Sequence, residues 1–315
     1  MVRDPFVAVT SDPRGVFVPF PSPAPAGRAM ALAAAALALA ACAPSGVNVP
    51  PISPSPSAEV RVGQFVWHDL LTTDVAAARR FYGELLGWTF AEDDPSDRYT
   101  TILLDGRAIG GIAAAEDLRE QSFNASQWIS SLSVRDVDAA VADVRRLGGM
   151  VLAEPRELPE RGRVALVRDD QGALLSLVRS ASGDPAADRE RVGAWLWTEL
   201  WTRNADASAA FYRALVGYEA EPVEGGGGAD YRVFRVGEEP QAGLLTYQLD
   251  AVQPNWLPYV LVDDPAALAA RAEELGGRVL LPADPSRRNG SVAIIADPTG
   301  AALTLQKWPP EGQDR

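Results

Sequence analysis

The stretch GQFVWHDLLTTDVAAARRFYGELLGW, which begins at Gly63, recurs as GAWLWTELWTRNADASAAFYRALVGY from Gly193, an offset of 130 residues. WISSLSVRDVDAAVADVRRLGGMVL from Trp128 returns as WLPYVLVDDPAALAARAEELGGRVL from Trp256, and RVALVRDDQGALLSLVRS from Arg163 as SVAIIADPTGAALTLQKW from Ser291, both at 128. Three blocks repeated in the same order mark a tandem duplication, so whatever core the first copy builds the second must build again. Each copy is itself double. A strand leads into a helix and then several short strands, and the series repeats. In the first copy Phe65–Thr72 alternates as a strand, Asp74 is placed to cap a helix from Val75 to Leu86, and Gly87 is placed to close it. A second strand begins at Trp128, and Asp136 caps a second helix that ends at Gly148-Gly149. The predicted fold class is α+β, with each domain made of two paired βαβββ modules.

This pattern resembles the vicinal oxygen chelate superfamily, which includes glyoxalase I, extradiol dioxygenases and bleomycin resistance proteins. Three features carry the resemblance. An aspartate, or Asn204, precedes Phe81-Tyr82 and Phe211-Tyr212 by seven residues. Leu86-Gly87 and Val216-Gly217 follow the helices, and RDDQGALLSL and DPTGAALTL close the two copies. The resemblance covers residues 61–181 and 192–308, and implies curved sheets enclosing a cavity, with helices outside. It is weak on activity, because one fold hosts many chemistries.

In metal-dependent members of that superfamily the first-strand histidine lies seven residues before the helix cap. Here those positions hold Trp67, Ile129, Trp197 and Leu257, and the closing-strand glutamate is replaced by Ser176 and Thr304. A divalent metal needs three or four converging N, O or S donors. The expectation is therefore no metal and no other cofactor, and neither glyoxalase nor dioxygenase chemistry of the metal-dependent kind. His68, the single histidine, is one residue out of register. It should face the helix layer as a structural residue, since Thr198 replaces it in the second copy.

Strand alternation places Trp67 and Asp69 on one face, and Trp197, Glu199 and Trp201 on the equivalent face. Ser131 and Ser176 should line the first cavity, and Tyr259, Thr304 and Gln306 the second. An aromatic wall with one acid suits a flat or cationic organic ligand. The second cavity is expected to be the better site, with Glu199 holding a ligand cation, an arginine partner (Arg232 or Arg235) or a proton. Three functions follow: a binding protein that sequesters a small molecule, a metal-independent isomerase, lyase or hydrolase with Asp69 or Glu199 as general base, or an interaction module with filled cavities. The first is favoured because no nucleophile or second acid is evident.

Upstream, residues 29–41 form a short apolar run ending at Leu39-Ala40-Ala41-Cys42. The run is shorter than the ~20 residues of a spanning helix and fits a signal peptide. Its end resembles the bacterial lipoprotein box, which implies removal of residues 1–41 and a lipid on Cys42. The alternative is an incidental cysteine after an alanine-rich helix. Residues 42–60, rich in proline and serine, should form an extended tether with folded structure beginning near Val60. A lipid-anchored protein of the cell envelope, facing away from the cytoplasm, is the expectation. The net charge of −13 is spread along the chain and disfavours nucleic acid as a partner.

Overall fold

The structure is a computed structural model that describes residues 49–91, 98–115, 126–223, 231–247 and 253–308. The first domain contains β1 (Phe65–Thr72), α1 (Val75–Leu86), β2 (Thr89–Phe90), β3 (Tyr99–Leu104) and β4 (Arg107–Ala114). Its second module follows as β5 (Gln127–Ser133), α2 (Val137–Arg146), β6 (Met150–Leu158), β7 (Gly162–Arg168) and β8 (Leu174–Ser180). The second domain repeats the series as β9 (Trp195–Thr202), α3 (Ala205–Val216), β10 (Glu219–Pro222), β11 (Tyr231–Val236) and β12 (Glu239–Thr246). It ends with β13 (Asn255–Leu261), α4 (Pro265–Glu274), β14 (Arg278–Leu281), β15 (Val292–Ala296) and β16 (Ala302–Gln306).

Local chemistry sets these boundaries. Asp74, Asp136, Asn204 and Asp264 sit in extended backbone, and each side chain accepts a bond from the N–H three residues on. Gly87 and Gly217 end α1 and α3 in left-handed conformations, φ 69° and 78°, where a Cβ would be strained. Each domain closes on one eight-stranded sheet, ordered β2-β3-β4-β1-β5-β8-β7-β6 and β10-β11-β12-β9-β13-β16-β15-β14. The first strand of each module runs parallel to the last strand of its own module, while β1–β5 and β9–β13 join the modules antiparallel.

The helices lie on the side of each sheet away from its cavity, as the resemblance implies, but that side is not exposed. One core joins α2 and the inner residues of β7 and β8 to Phe211 and Tyr212 of α3, Phe234 and Trp256. Another joins Phe81 and Tyr82 of α1, Trp88 and Trp128 to Ala269 and Ala272 of α4 and to β15 and β16. Each core thus takes one module from each domain. The helix layers are interior to the molecule, and neither domain has a complete core of its own on this side.

The residues that marked the resemblance form the latches of this interface. Tyr82 donates to Asp297 Oδ2 at 3.2 Å and accepts from Trp128 Nε1 at 3.1 Å. Tyr212 donates to Asp169 Oδ2 at 3.1 Å and accepts from Trp256 Nε1 at 2.7 Å. The other oxygen of each aspartate accepts backbone N–H groups of its own loop, from Gln171 and Ala173 or from Thr299 and Ala301. Trp88 Nε1 reaches Gly193 O at 2.8 Å, and Tyr218 likewise bonds Gly63 O. The duplication therefore yields paired contacts related by exchange of the two domains.

The expectation of a free tether up to residue 60 needs correction. Residues 49–59 lie along the first domain, with Ile52 only 1% exposed and packed with Val66, Trp67 and Val178. Ser53 N and Ser57 N donate to Ser182 Oγ and O at 2.9 and 2.8 Å. Proline and serine content argued for an unbonded chain, but a buried isoleucine on an apolar edge and backbone bonds to Arg161, Ser182 and Asp184 dock it. Residues 1–48, with the apolar run and Cys42, lie outside the described residues.

Candidate functional site

The inner face of the first sheet carries a row of three adjacent positions: Trp67 on β1 pairs with Ser131 on β5, which pairs with Ser176 on β8. Asp69, two residues along β1, pairs with Gly111 on β4. Asp69, Ser131 and Ser176 border a cavity of about 60 Å³, together with Ile129, Tyr99, Arg161 and Val49. Trp67 packs beside it, 1% exposed. The alternation of β1 and the repeat register were sufficient to place these four side chains. Their role toward a ligand is a separate question.

Around Asp69 the charges and donors are arranged closely. Tyr99 Oη donates to Oδ1 at 2.7 Å and Trp67 Nε1 to the same oxygen at 2.9 Å. Arg161 lies with Nη1 3.9 Å from Oδ2, donates through Nη2 to Tyr99 Oη at 3.0 Å, and covers the Trp67 ring with its guanidinium at 4.3 Å. The third edge of the guanidinium, Nε, donates to Pro50 O at 2.9 Å. Burial holds the Tyr99 hydroxyl protonated far above its ordinary range, with the Asp69 charge adding to the effect against Arg161. Tyr99 is therefore a fixed donor. A Cβ on Gly111 would lie 1.9 Å from Tyr99 Oη and 2.6 Å from Asp69 Oδ1, so only glycine lets the two meet.

The second cavity is built on the same plan and closed differently. Glu199 is fully buried. Its Oε1 accepts from Tyr259 Oη at 2.7 Å and Trp201 Nε1 at 2.9 Å, and its Oε2 from Arg288 Nη2 at 3.0 Å. Arg288 lies over the Tyr231 ring at 5.2 Å, and Arg189 over Trp197 at 5.1 Å. The Glu199 charge keeps Arg288 protonated despite its burial. Of the partners expected for Glu199, the structure supplies an arginine, so a ligand cation is not needed there. Neither expected arginine is that partner: Arg232 pairs with Asp206 and Arg235 with Glu221, each at 2.7 Å. Thr304 and Gln306 are buried on β16, and Thr304 Oγ1 and Gln306 Oε1 have no protein partner among the described residues.

Tyr99, Arg161, Arg288 and the strap at Val49–Ile52 were not singled out from the sequence. Tyr99 had a signal, since it aligns with Tyr231 at the start of β11. The arginines had a weaker one: both precede the glycine, Gly162 or Gly290, at the start of the seventh-strand hairpin, but they stand one residue apart in register. His68 lies away from the cavity. Its ring meets Trp195 of the second domain at 4.3 Å, with Nδ1 2.9 Å from Ser130 Oγ. Burial lowers its pKa to about 3, so it is neutral at physiological pH.

The superfamily's metal positions read from the sequence are Trp67, Ile129 and Ser176 in the first domain and Trp197, Leu257 and Thr304 in the second, with Ser131 and Tyr259 beside Trp67 and Trp197 in the sheet. Those side chains do not fit a metal. Two indoles occupy the first-strand positions, a tyrosine bonded to Glu199 blocks the second row, and glycines stand where β4 and β12 face the carboxylates. Among the described residues, no three His, Cys, Asp or Glu side chains converge.

Comparison with known proteins agrees with this architecture. The glyoxalase/bleomycin resistance protein/dioxygenase superfamily matches residues 61–177, and the glyoxalase-like domain family matches residues 197–305. A putative glyoxylase, CFP32, of Mycobacterium tuberculosis is 34% identical over 81% of this chain and 98% of its own length. The anthracycline biosynthesis protein DnrV of Streptomyces peucetius is 32% identical over 77% of this chain and 92% of its own. Among solved structures, the Mn(II)-bound glyoxalase from Novosphingobium aromaticivorans superimposes with a TM-score of 0.53 at 16% identity, covering 80% of this chain and 84% of that one, a likeness of fold. With two family domains, the paired βαβββ modules of each, and relatives of this identity matched over nearly their full length, the chain belongs to the glyoxalase/bleomycin resistance protein/dioxygenase superfamily.

Proposed function

We propose that this protein binds a small organic molecule in the first-domain cavity without a protein-held metal. The observation that carries the reading is the asymmetry between the two carboxylates. Glu199 is fully buried and bonded on both oxygens, while Asp69 keeps a 17% exposed side chain with Oδ2 unbonded at 3.9 Å from Arg161 and bordering the cavity. The preference expected for the second cavity is therefore transferred to the first. Because Arg161 already balances Asp69, the ligand class narrows from flat or cationic to flat, neutral and oxygen-bearing, able both to accept from a guanidinium and to donate to a carboxylate. The relatives named for anthracycline biosynthesis support a flat aromatic ligand. Ser131 and Ser176 supply further hydroxyls at the cavity wall.

We also propose that Cys42 is lipidated and holds the protein at the bacterial envelope, on the strength of Leu39-Ala40-Ala41-Cys42 behind an apolar run. Cys42→Ala is expected to release the protein from detergent-extracted membranes. Equal retention counts against the anchor.

Calorimetric titration with flat oxygenated aromatics tests the binding reading. Asp69→Asn is expected to weaken a hit by about 1.5–3 kcal/mol, the range for a lost hydrogen bond to a charged group, and Glu199→Gln to leave the affinity unchanged. If Glu199→Gln abolishes binding and Asp69→Asn does not alter it, the wrong cavity has been chosen. If turnover of the hit accompanies binding and stops in Asp69→Asn, the general-base reading replaces sequestration.

A further inference from the structure

The first cavity is walled on one side by a strap of the chain that precedes the domain. The strap Val49–Ile52 enters beside it, with Val49 at the wall and Ile52 buried on Trp67 and Val178. Pro50 O takes the Nε–H of Arg161 at 2.9 Å. Among the described residues, that is the one bond of the Arg161–Tyr99–Asp69–Trp67 network that leaves the domain's own framework. Two of the four strap residues are prolines, which have no N–H to contribute to a ladder. The next anchor downstream is Ser53 N on Ser182 Oγ.

Size makes the strap decisive. A cavity of about 60 Å³ holds a few waters. An engineered cavity that admits benzene is about 150 Å³. A fused aromatic ring therefore cannot enter while the strap is seated. Lifting the strap at Ser53 enlarges the space and uncovers the Trp67 indole from Ile52. It also leaves the Arg161 Nε–H without an acceptor, and a buried charged donor left unpaired is costly.

We infer that Val49–Ile52 is a displaceable stand-in for the ligand, and that the ligand is a flat molecule whose carbonyl oxygen takes over the Arg161 Nε–H from Pro50 while its ring replaces Ile52 against Trp67. Arg161 is then the residue that selects for the carbonyl. The inference rests on the first cavity being the ligand site and adds what the site recognises and how it opens.

The test uses the full chain and two neutral probes of one shape, 2-(hydroxymethyl)anthraquinone and 2-(hydroxymethyl)anthracene, which differ by the two carbonyls. Calorimetry is expected to give tighter binding of the quinone, and Arg161→Lys, which keeps the charge but loses the fork, should erase the difference. Ile52→Ala weakens the competing strap and should tighten the quinone by about tenfold, since apparent affinity follows the fraction of open sites. Amide exchange provides a readout independent of any variant's folding: the quinone should accelerate exchange at Ser53 while Ser57, bonded to Ser182 O, is unchanged. Equal affinity for both probes overturns the carbonyl selection. Weaker binding by Ile52→Ala, or a Ser53 amide better protected in the complex, overturns displacement and makes the strap a fixed wall. Failure of both probes to bind Ile52→Ala overturns the inference for this ligand class, whereas the choice of cavity stands or falls on the Asp69→Asn and Glu199→Gln comparison.

Discussion

Replacing Glu199 by glutamine tests whether the second cavity is a structural device. The two side chains are nearly isosteric. The amide oxygen of the variant can still accept from Tyr259 and Trp201 in place of Oε1. What changes is Oε2, which becomes an NH₂ group facing the Arg288 Nη2 donor at 3.0 Å. Removing one partner of a buried pair costs about 3–5 kcal/mol, because the surviving charge is buried without its counterpart. Arg288 retains 22% side-chain exposure and so recovers part of its hydration. The expected loss is therefore about 2–4 kcal/mol, taken from the buried-pair range. The matching change in the first domain, Asp69→Asn, should cost about 1 kcal/mol or less, as for a loose, partly exposed pair. There the ion-pair distance is 3.9 Å, Oδ1 keeps its two donors, and Arg161 keeps Pro50, Tyr99 and Trp67. Urea unfolding followed by tryptophan fluorescence measures both. The double variant Glu199→Gln with Arg288→Met should recover most of the loss, since the amide oxygen still accepts from Tyr259 and Trp201 and no charge is left buried without its counterpart. Equal losses in the two domains, or no recovery in the double variant, would refute the reasoning.

The latches and the histidine make pH predictions of opposite sign. Burial raises the Asp169 pKa to about 6, above its ordinary 3.8, so its contribution to stability is full below pH ~4 and is lost as pH rises through 6; about 3 kcal/mol is at stake. Asp169→Asn should flatten that part of the stability profile, and a variant profile unchanged from wild type would contradict it. His68, lowered to about 3 from 6.5, contributes stability above pH 6.5 that is lost on acidification toward 3, up to about 5 kcal/mol; His68→Leu should hold its stability further into acid. Gly111→Ala should separate Tyr99 from Asp69, cost about 1–3 kcal/mol by leaving buried groups unpaired, and abolish first-cavity binding while the spectrum of the folded protein is retained. Because both interdomain cores mix modules from the two domains, heating should give one unfolding transition by calorimetry rather than two.

Local and periodic features were legible in the chain. Four helix caps were readable because each aspartate or asparagine bonds an N–H only three residues away. The cavity face of β1 was readable because side chains alternate, which set Trp67 and Asp69 together and sent His68 to the other side. The absence of a suitable donor set at the superfamily's metal positions followed from residue identity alone. What the chain did not show was which arginine meets each carboxylate: Arg232 and Arg235 pair elsewhere. Arg288 reaches Glu199 across 89 residues of chain, and Arg161 reaches Asp69 from the β6–β7 turn.

The sequence by itself determined the duplication, the two sheets and which side chains of β1 and β9 share a face, since repeats, caps and strand periodicity are short-range patterns written in order along the chain. Tertiary structure decided which cavity is filled and which is left with an unbonded carboxylate oxygen. It also turned Tyr82 and Tyr212 into latches on the opposite domain's Asp297 and Asp169, and seated a proline-rich strap on Arg161. Those outcomes depend on distances between residues far apart in sequence. A shift of one position between Arg161 and Arg288, or one methylene between Asp69 and Glu199, moves a charge from contact at 3.0 Å to a looser 3.9 Å, and no pattern along the chain records that difference.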